Sequence, residues 1–206
     1  MEPNNLITSK NNERKNNPYN KGVWKGAREW IQVIVVALVV ALPVRFFIAE
    51  PFIVNGASMD PTFATGQFLI VDRVSYRFDN PHRGDVIVFE YPNNPSIYYI
   101  KRIIGLPGET ISIKDGKVSI INTEYPEGVE LKEPYVEYSH LSSDNLKETL
   151  SSTEFFVMGD NRAQSSDSRV WGPLDKHFII GRPIVRLLPI NTVSAFPGEH
   201  EMYDGK

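Results

Sequence analysis

The sequence predicts a mainly β protein that follows an N-terminal membrane-spanning helix. Three observations carry this prediction. An apolar stretch from Trp30 to Ile48 is interrupted only by Gln32, Pro43 and Arg45. From Glu50 onward the apolar residues come in short runs of period two, and one segment alternates around Asp115-Gly116 as a hairpin does. A length of 206 residues suits one domain of ordinary size with an appendage, and 41% hydrophobic residues are enough to bury a core, which excludes wholesale disorder.

Residues 1–22 are rich in Asn and Lys and poor in apolar side chains, so they cannot offset the entropy of ordering and read as a disordered cytoplasmic tail. Residues 23–49 read as the membrane-spanning helix. The apolar core Val33 to Val44 is shorter than the roughly 20 residues a bilayer requires. Trp24 and Trp30 at the inner interface, with Arg45 snorkelling outward, extend it to a spanning length. A cleaved secretory signal would need small residues at the cut, and Phe46-Phe47-Ile48 supplies none. A buried soluble helix is the other alternative, although all-round apolar, β-branched side chains suit lipid better. Before Ile31 six cations stand against three anions, a net charge of +3, and the rest of the chain carries −6. Cations ahead of a span keep that end in the cytoplasm, which places residues 50–206 outside.

In that outer part Gln67 to Val71, Asp85 to Phe89 and Tyr98 to Ile104 read as strands punctuated by Gly and Pro. Ile111 to Ile121 is the hairpin. Glu154 to Met158, Phe178 to Ile180 and Pro183 to Leu188 complete a mostly antiparallel sheet or barrel-like domain. Asn122 to Thr153 is polar and reads as an irregular excursion from the core.

Composition removes several chemistries. Without cysteine there is no disulfide, thiol nucleophile, iron–sulfur cluster or cysteine–zinc site. A net charge of −3 lacks the basic stripe of a nucleic-acid binder. His82, His140, His177 and His200 have no partner at metal-ligand spacing, and neither a G-x-G-x-x-G, a Walker loop nor a G-x-S-x-G elbow occurs. No metal and no organic cofactor is expected.

Three segments remain. Asn55-Gly-Ala-Ser58-Met-Asp-Pro61-Thr62 sets a serine at a kink; read alone it is a turn of ordinary turn formers. Lys101 lies inside Tyr98 to Ile104, where alternation puts Tyr99, Lys101 and Ile103 on one face and Ile100, Arg102 and Ile104 on the other. It is either a snorkelling edge residue or buried. Burial disfavours the ammonium and leaves an amine able to take a proton from a serine hydroxyl, which the Arg102 guanidinium cannot do. Ser58 and Lys101 therefore make a candidate nucleophile and base. Gly159 to Arg169 is a polar turn between the apolar Phe155 to Met158 and Trp171-Gly-Pro, so its polar groups need partners.

Ser58-Met59-Asp60-Pro61-Thr62, then Lys101-Arg102-Ile-Ile-Gly105-Leu-Pro107-Gly108-Glu109, then Gly159-Asp160-Asn161 through Ser165, Asp167, Ser168 and Arg169 resemble, in this order, the motifs of the bacterial type I signal peptidases. These leader peptidases are membrane-bound Ser-Lys proteases of family S26, and the resemblance runs from about Ile31 to Pro189. It implies a single-pass protein of the bacterial plasma membrane with its catalytic domain outside. It implies Ser58 as nucleophile, Lys101 as base, Ser165 as the hydroxyl that orients the lysine, and Asp167 with Arg169 as a supporting ion pair. The Ser58 main-chain N–H would serve the oxyanion hole. The Gram-negative pattern has a serine two residues before the nucleophile; Gly56 stands there in this chain, which leaves the second donor open. Only 57 residues separate Lys101 from Gly159, which leaves no room for the extra domain of larger relatives.

Phe52, Val54, Met59, Phe63, Tyr99 and Ile100 match positions that line shallow apolar pockets in that family. The implied substrate is a precursor protein bearing a signal peptide, bound as an extended strand and cut after a small-x-small, Ala-x-Ala-like site through an acyl-enzyme. Precursors and the lipid bilayer are the implied partners. Two alternatives stay open: another Ser-Lys peptidase, such as a self-cleaving repressor or a conjugation-linked maturation peptidase, and a non-catalytic β domain that only binds peptides.

Overall fold

The computed structural model describes residues 18–43, 49–137 and 144–199. The chain divides into two units after Pro43. The first contains helix α1, Pro18–Pro43. It starts ahead of the expected residue 23 and ends on a proline, whose missing N–H and ring oppose continuation of the ladder. From Arg28 to Leu42 every side chain is exposed, apolar ones such as Trp30, Val35 and Val39 included. Among the described residues no helix is long and apolar enough to cross a membrane. The expected span from Trp30 runs past Pro43 into residues 44–48, which lie outside the described residues together with residues 1–17 of the expected tail, His140 and His200.

In the second unit the described strands are β1 (Ala49–Ile53), β2 (Phe68–Asp72), β3 (Val86–Tyr91), β4 (Asn94–Gly105), β5 (Thr110–Lys114) and β6 (Lys117–Ile121), followed by β7 (Val129–Glu130), β8 (Leu146–Thr149), β9 (Glu154–Met158), β10 (Leu174–Asp175), β11 (Ile179–Leu188) and β12 (Ser194–Ala195). They form a large sheet in the order β1-β2-β11-β3-β4-β9-β10, with β12 beside β11, and a small one in the order β7-β6-β5-β8. All their pairings are antiparallel.

Position in the sheet explains the sequence patterns. Val86 to Phe89 of β3, flanked by β11 and β4, is a continuous apolar run buried on both faces. In β2, Leu69 and Val71 are buried while Phe68, Ile70 and Asp72 are only partly so, as one-sided packing requires. Pro51 is tolerated because β1 is an edge strand. The runs at 178–180 and 183–188 join in one strand, β11, in which a register shift after Pro183 accommodates the missing N–H.

The segment from Asn122 to Thr153 departs from expectation. Its β7 and β8 pair with β6 and β5, and Leu131, Tyr135 and Leu150 pack into the core of the small sheet. Single apolar residues spaced among polar ones close that core, so no apolar run announces it.

Candidate active site

The nucleophile candidate stands on a loop that leaves β1 and returns to β2. Val54 N–H donates to the Gln67 carbonyl and Gly66 N–H to the Val54 carbonyl, each at 2.9 Å, which closes the loop at its base. Within it Phe63 N–H donates to the Met59 carbonyl at 2.8 Å. This turn rolls Met59 and Phe63 inward, where they pack with Val54, Leu69 and Val86 at 1% and 0% exposure. Ser58 faces the other way. Gly56 has φ 105°, a left-handed conformation that favours glycine, and its N–H is engaged by Thr65 Oγ1 at 3.1 Å.

Strand β4 brings Lys101 to that serine. Its Nζ lies 2.8 Å from Ser58 Oγ and donates to the Ile100 carbonyl at 3.0 Å, and the side chain is 3% exposed. Burial pushes the amine down to about 8, against the upward pull of the Asp167 and Asp160 carboxylates. Arg102 points to the other face and is also fully buried. Its Nε and Nη2 donate to Asp160 at 2.9 and 2.7 Å, and its Nη1 donates to the carbonyls of Gly84 and Gly198. The Tyr135 ring lies 4.0 Å from the guanidinium carbon. Thr62 Oγ1 donates to Asp160 at 2.6 Å, so one carboxylate ties the serine loop to the strand of the lysine.

The Gly159 to Arg169 turn closes the site from β9. Asn161 N–H donates to the Ser58 carbonyl at 3.1 Å. Gly159 N–H donates to Asp167 at 3.0 Å, while Arg162 Nε donates to the Gly159 carbonyl at 3.1 Å. A Cβ on Gly159 would overlap both the Ser58 carbonyl oxygen and Ser165 Oγ, so only glycine permits this approach. Arg169 grips Asp167 through Nε and Nη2, each at 2.8 Å. Burial alone would raise the Asp167 carboxyl, but the hydrogen bonds and charge of Arg169 hold it below the usual carboxylate range. Arg169 also pairs with Asp144, and Arg162 with Glu133.

Ser165 Oγ is buried in the same place but forms no hydrogen bond with Lys101. Its oxygen is buried without a hydrogen-bond partner, close against Gly159 and the Ser58 carbonyl.

A cavity of about 270 Å³ opens beside Ser58 and Lys101. Phe52, Val54, Tyr99 and Ile100 line it, whereas Met59 and Phe63 do not. Leu69, Val88, Tyr98 and Gln164 line it as well and were not singled out from the sequence. Leu69 and Val88 sit on strands that the sequence does predict; period-two alternation with Val71 points to Leu69, whereas nothing local separates Val88 from the rest of its continuous apolar run. Nothing comparable marks Glu133 and Tyr135, which lie outside every motif. Among the described residues no group of His, Cys, Asp and Glu could hold a metal ion. His82 and His177 lie beside Asp85 and Asp175, away from the cavity.

Residues 27–188 match the family described as signal peptidase, peptidase S26. The chain is 39% identical over 174 residues to the probable signal peptidase I-1 of Synechocystis sp., an overlap of 81% of this chain and 85% of that one. It is 40% identical over 172 residues to signal peptidase I of Leptolyngbya laminosa, covering 80% and 81%. It is 34% identical over 175 residues to signal peptidase I of Bacillus licheniformis, covering 80% and 90%. Three motifs distant in sequence thus meet at one cavity inside the matched region, and the chain belongs to the signal peptidase family, peptidase S26.

Proposed function

We propose that this chain is a membrane-bound serine endopeptidase that removes N-terminal signal peptides from exported precursors, with Ser58 as nucleophile and Lys101 as general base. The observation that carries this reading is the 2.8 Å approach of Lys101 Nζ to Ser58 Oγ at a lysine that burial has made easy to deprotonate. In the neutral form Nζ accepts the Ser58 proton as Oγ adds to the carbonyl carbon before the cut. The oxyanion faces the Ser58 N–H, a donor worth about 3 to 4 kcal/mol to the transition state when well aimed. The Lys101 ammonium returns its proton to the leaving amine, and an ester on Ser58 remains. Lys101 then takes a proton from a water that attacks the ester and returns it to Ser58 Oγ as the acyl bond to the serine breaks, and the signal peptide leaves with a C-terminal carboxyl group.

Asp167 and Arg169 act through Gly159, and Asp160 acts through Thr62 and Arg102; these groups position the serine and the lysine. Ser165 stands against the Ser58 carbonyl across Gly159.

The substrate path follows from the strands. β1 pairs only with β2, and β4 meets β9 only from Arg102 onward, so among the described residues one side of Tyr98 to Lys101 has no partner strand. An extended peptide laid there gains main-chain hydrogen bonds. Its alternate side chains enter a cavity walled by Val54, Leu69, Val88 and Ile100, which favours small residues at the first and third positions before the cut. The exposed apolar side chains of α1 and the preceding cations support a plasma-membrane anchor with a cytoplasmic N-terminus.

The test is cleavage of a purified precursor with an Ala-x-Ala site, in detergent, by the full chain, Ser58→Ala and Lys101→Ala. The full chain cuts after the second alanine and each variant loses about a thousandfold or more in kcat. Variants that cut as fast as the full chain overturn the assignment of the two residues.

A further inference from the structure

Strands β1 and β4 are separated in the sheet by β2, β11 and β3, yet two of their side chains meet. The rings of Phe52 and Tyr98 stand 5.3 Å apart at 69°, an edge-to-face pair, and both line the cavity that holds Ser58 and Lys101. Tyr98 precedes Lys101 by three residues, about 10 Å of extended chain, so the pair stands at the end of the cavity away from the serine. Phe52 on β1 and Val54, the residue after its end, both line the cavity two positions apart, and Tyr98 and Ile100 share one face of β4. The aromatic pair is therefore one side-chain repeat beyond the Val54 and Ile100 walls. Tyr98 leaves 46% of its surface exposed, so its ring is available to a ligand.

We infer that Phe52 and Tyr98 form a subsite for an apolar side chain of the precursor at the fifth residue before the cut, with Tyr98 as a specificity-determining residue. This rests on the reading of the cleft as the path of an extended signal peptide. A strand whose first and third residues before the cut face the cavity turns its second and fourth outward. The fifth is the next to face inward, about 13 Å from the first, and it reaches the aromatic pair. There the rings offer contact area to an aliphatic side chain and would strip water from a carboxylate. Precursors would thus be selected by the apolar segment upstream of the small-x-small site as well as by that site.

The test uses precursors with alanine at the first and third positions and Leu, Ala or Asp at the fifth, cut by the full chain, Tyr98→Phe, Tyr98→Ala and Tyr98→Asp. The full chain prefers Leu to Asp by about tenfold in kcat/KM, Tyr98→Phe keeps that preference, and both other variants lose most of it. The readout is a ratio within each variant, so a general loss of activity cancels. An unchanged ratio in both Tyr98→Ala and Tyr98→Asp overturns the subsite. So does a full chain that cuts all three precursors alike, even though it cuts after the second alanine. A full chain that cuts none of them there overturns the peptidase reading itself, and the subsite with it.

Discussion

At Lys101 two opposing influences set the chemistry: burial lowers the amine to about 8, and the nearby Asp167 and Asp160 carboxylates keep it from falling further. With Lys101 as the proposed base the reactive form is the neutral one, so the expected activity is present above that pKa and is lost as pH falls through it. The expected kcat/KM profile climbs about tenfold per pH unit on its acid side and levels off near pH 8. Measured on a precursor whose own groups do not titrate in that range, a limb centred near pH 10.5, the value of an ordinary lysine, would mean that burial does not tune this amine. Arg102, its neighbour in sequence, is equally inaccessible, and its place between Asp160 and Tyr135 makes its guanidinium a support for the site. One-residue alternation along β4 thus separates the amine beside Ser58 from the guanidinium that holds Asp160.

Two ion pairs fasten the turn that follows β9 to other parts of the β unit, and a third closes the turn on itself. Asp160 reaches Arg102 on β4, Arg162 reaches Glu133 in the segment after β7, and Asp167 holds Arg169 within the turn. The Arg162 side chain is 2% exposed, so Glu133→Ala leaves a buried guanidinium without its countercharge and costs about 3 to 5 kcal/mol of stability. Lys117→Ala breaks an ion pair whose side chains are 70% and 56% exposed, and costs less than about 1 kcal/mol. Denaturant titration of both variants checks the contrast; equal losses would show that Glu133 does not carry the turn. Glu133 also shows where the sequence stops being legible. Strands that are apolar runs, and motifs with fixed spacing, can be read locally, which is why β2 to β6 and the Ser58, Lys101 and Gly159 segments are readable. Glu133 and Tyr135 act on residues about 30 positions away, and no local pattern reveals such a pairing. Met59 and Phe63 fail for a related reason: a motif locates a turn but does not say which side chains the turn rolls into the core.

For the molecule as a whole the open physical question is what the exposed apolar side chains of α1 are for. Thirteen Val, Leu, Ile and Phe residues lie between Trp30 and Ile48. At about −0.3 to −0.6 kcal/mol each on a membrane-insertion scale they favour the bilayer by about 6 kcal/mol, and an aspartate at the centre of such a segment costs about 3. Two aspartates should therefore balance the whole apolar term. The expected outcome is that the full chain stays with vesicles through alkaline carbonate extraction, whereas Val36→Asp with Val39→Asp is released. Orientation is accessible because the chain contains no cysteine. A single thiol introduced as Asn5→Cys or as Ser152→Cys can be probed with an impermeant reagent on intact cells. With the +3 charge ahead of Ile31 held in the cytoplasm, only Ser152→Cys is labelled. Labelling of Asn5→Cys instead would put Ser58 on the cytoplasmic side, where a peptidase acting on exported precursors would not meet a translocated cleavage site. Release of the unmodified chain by carbonate would mean that α1 lies on the membrane or away from it rather than across it.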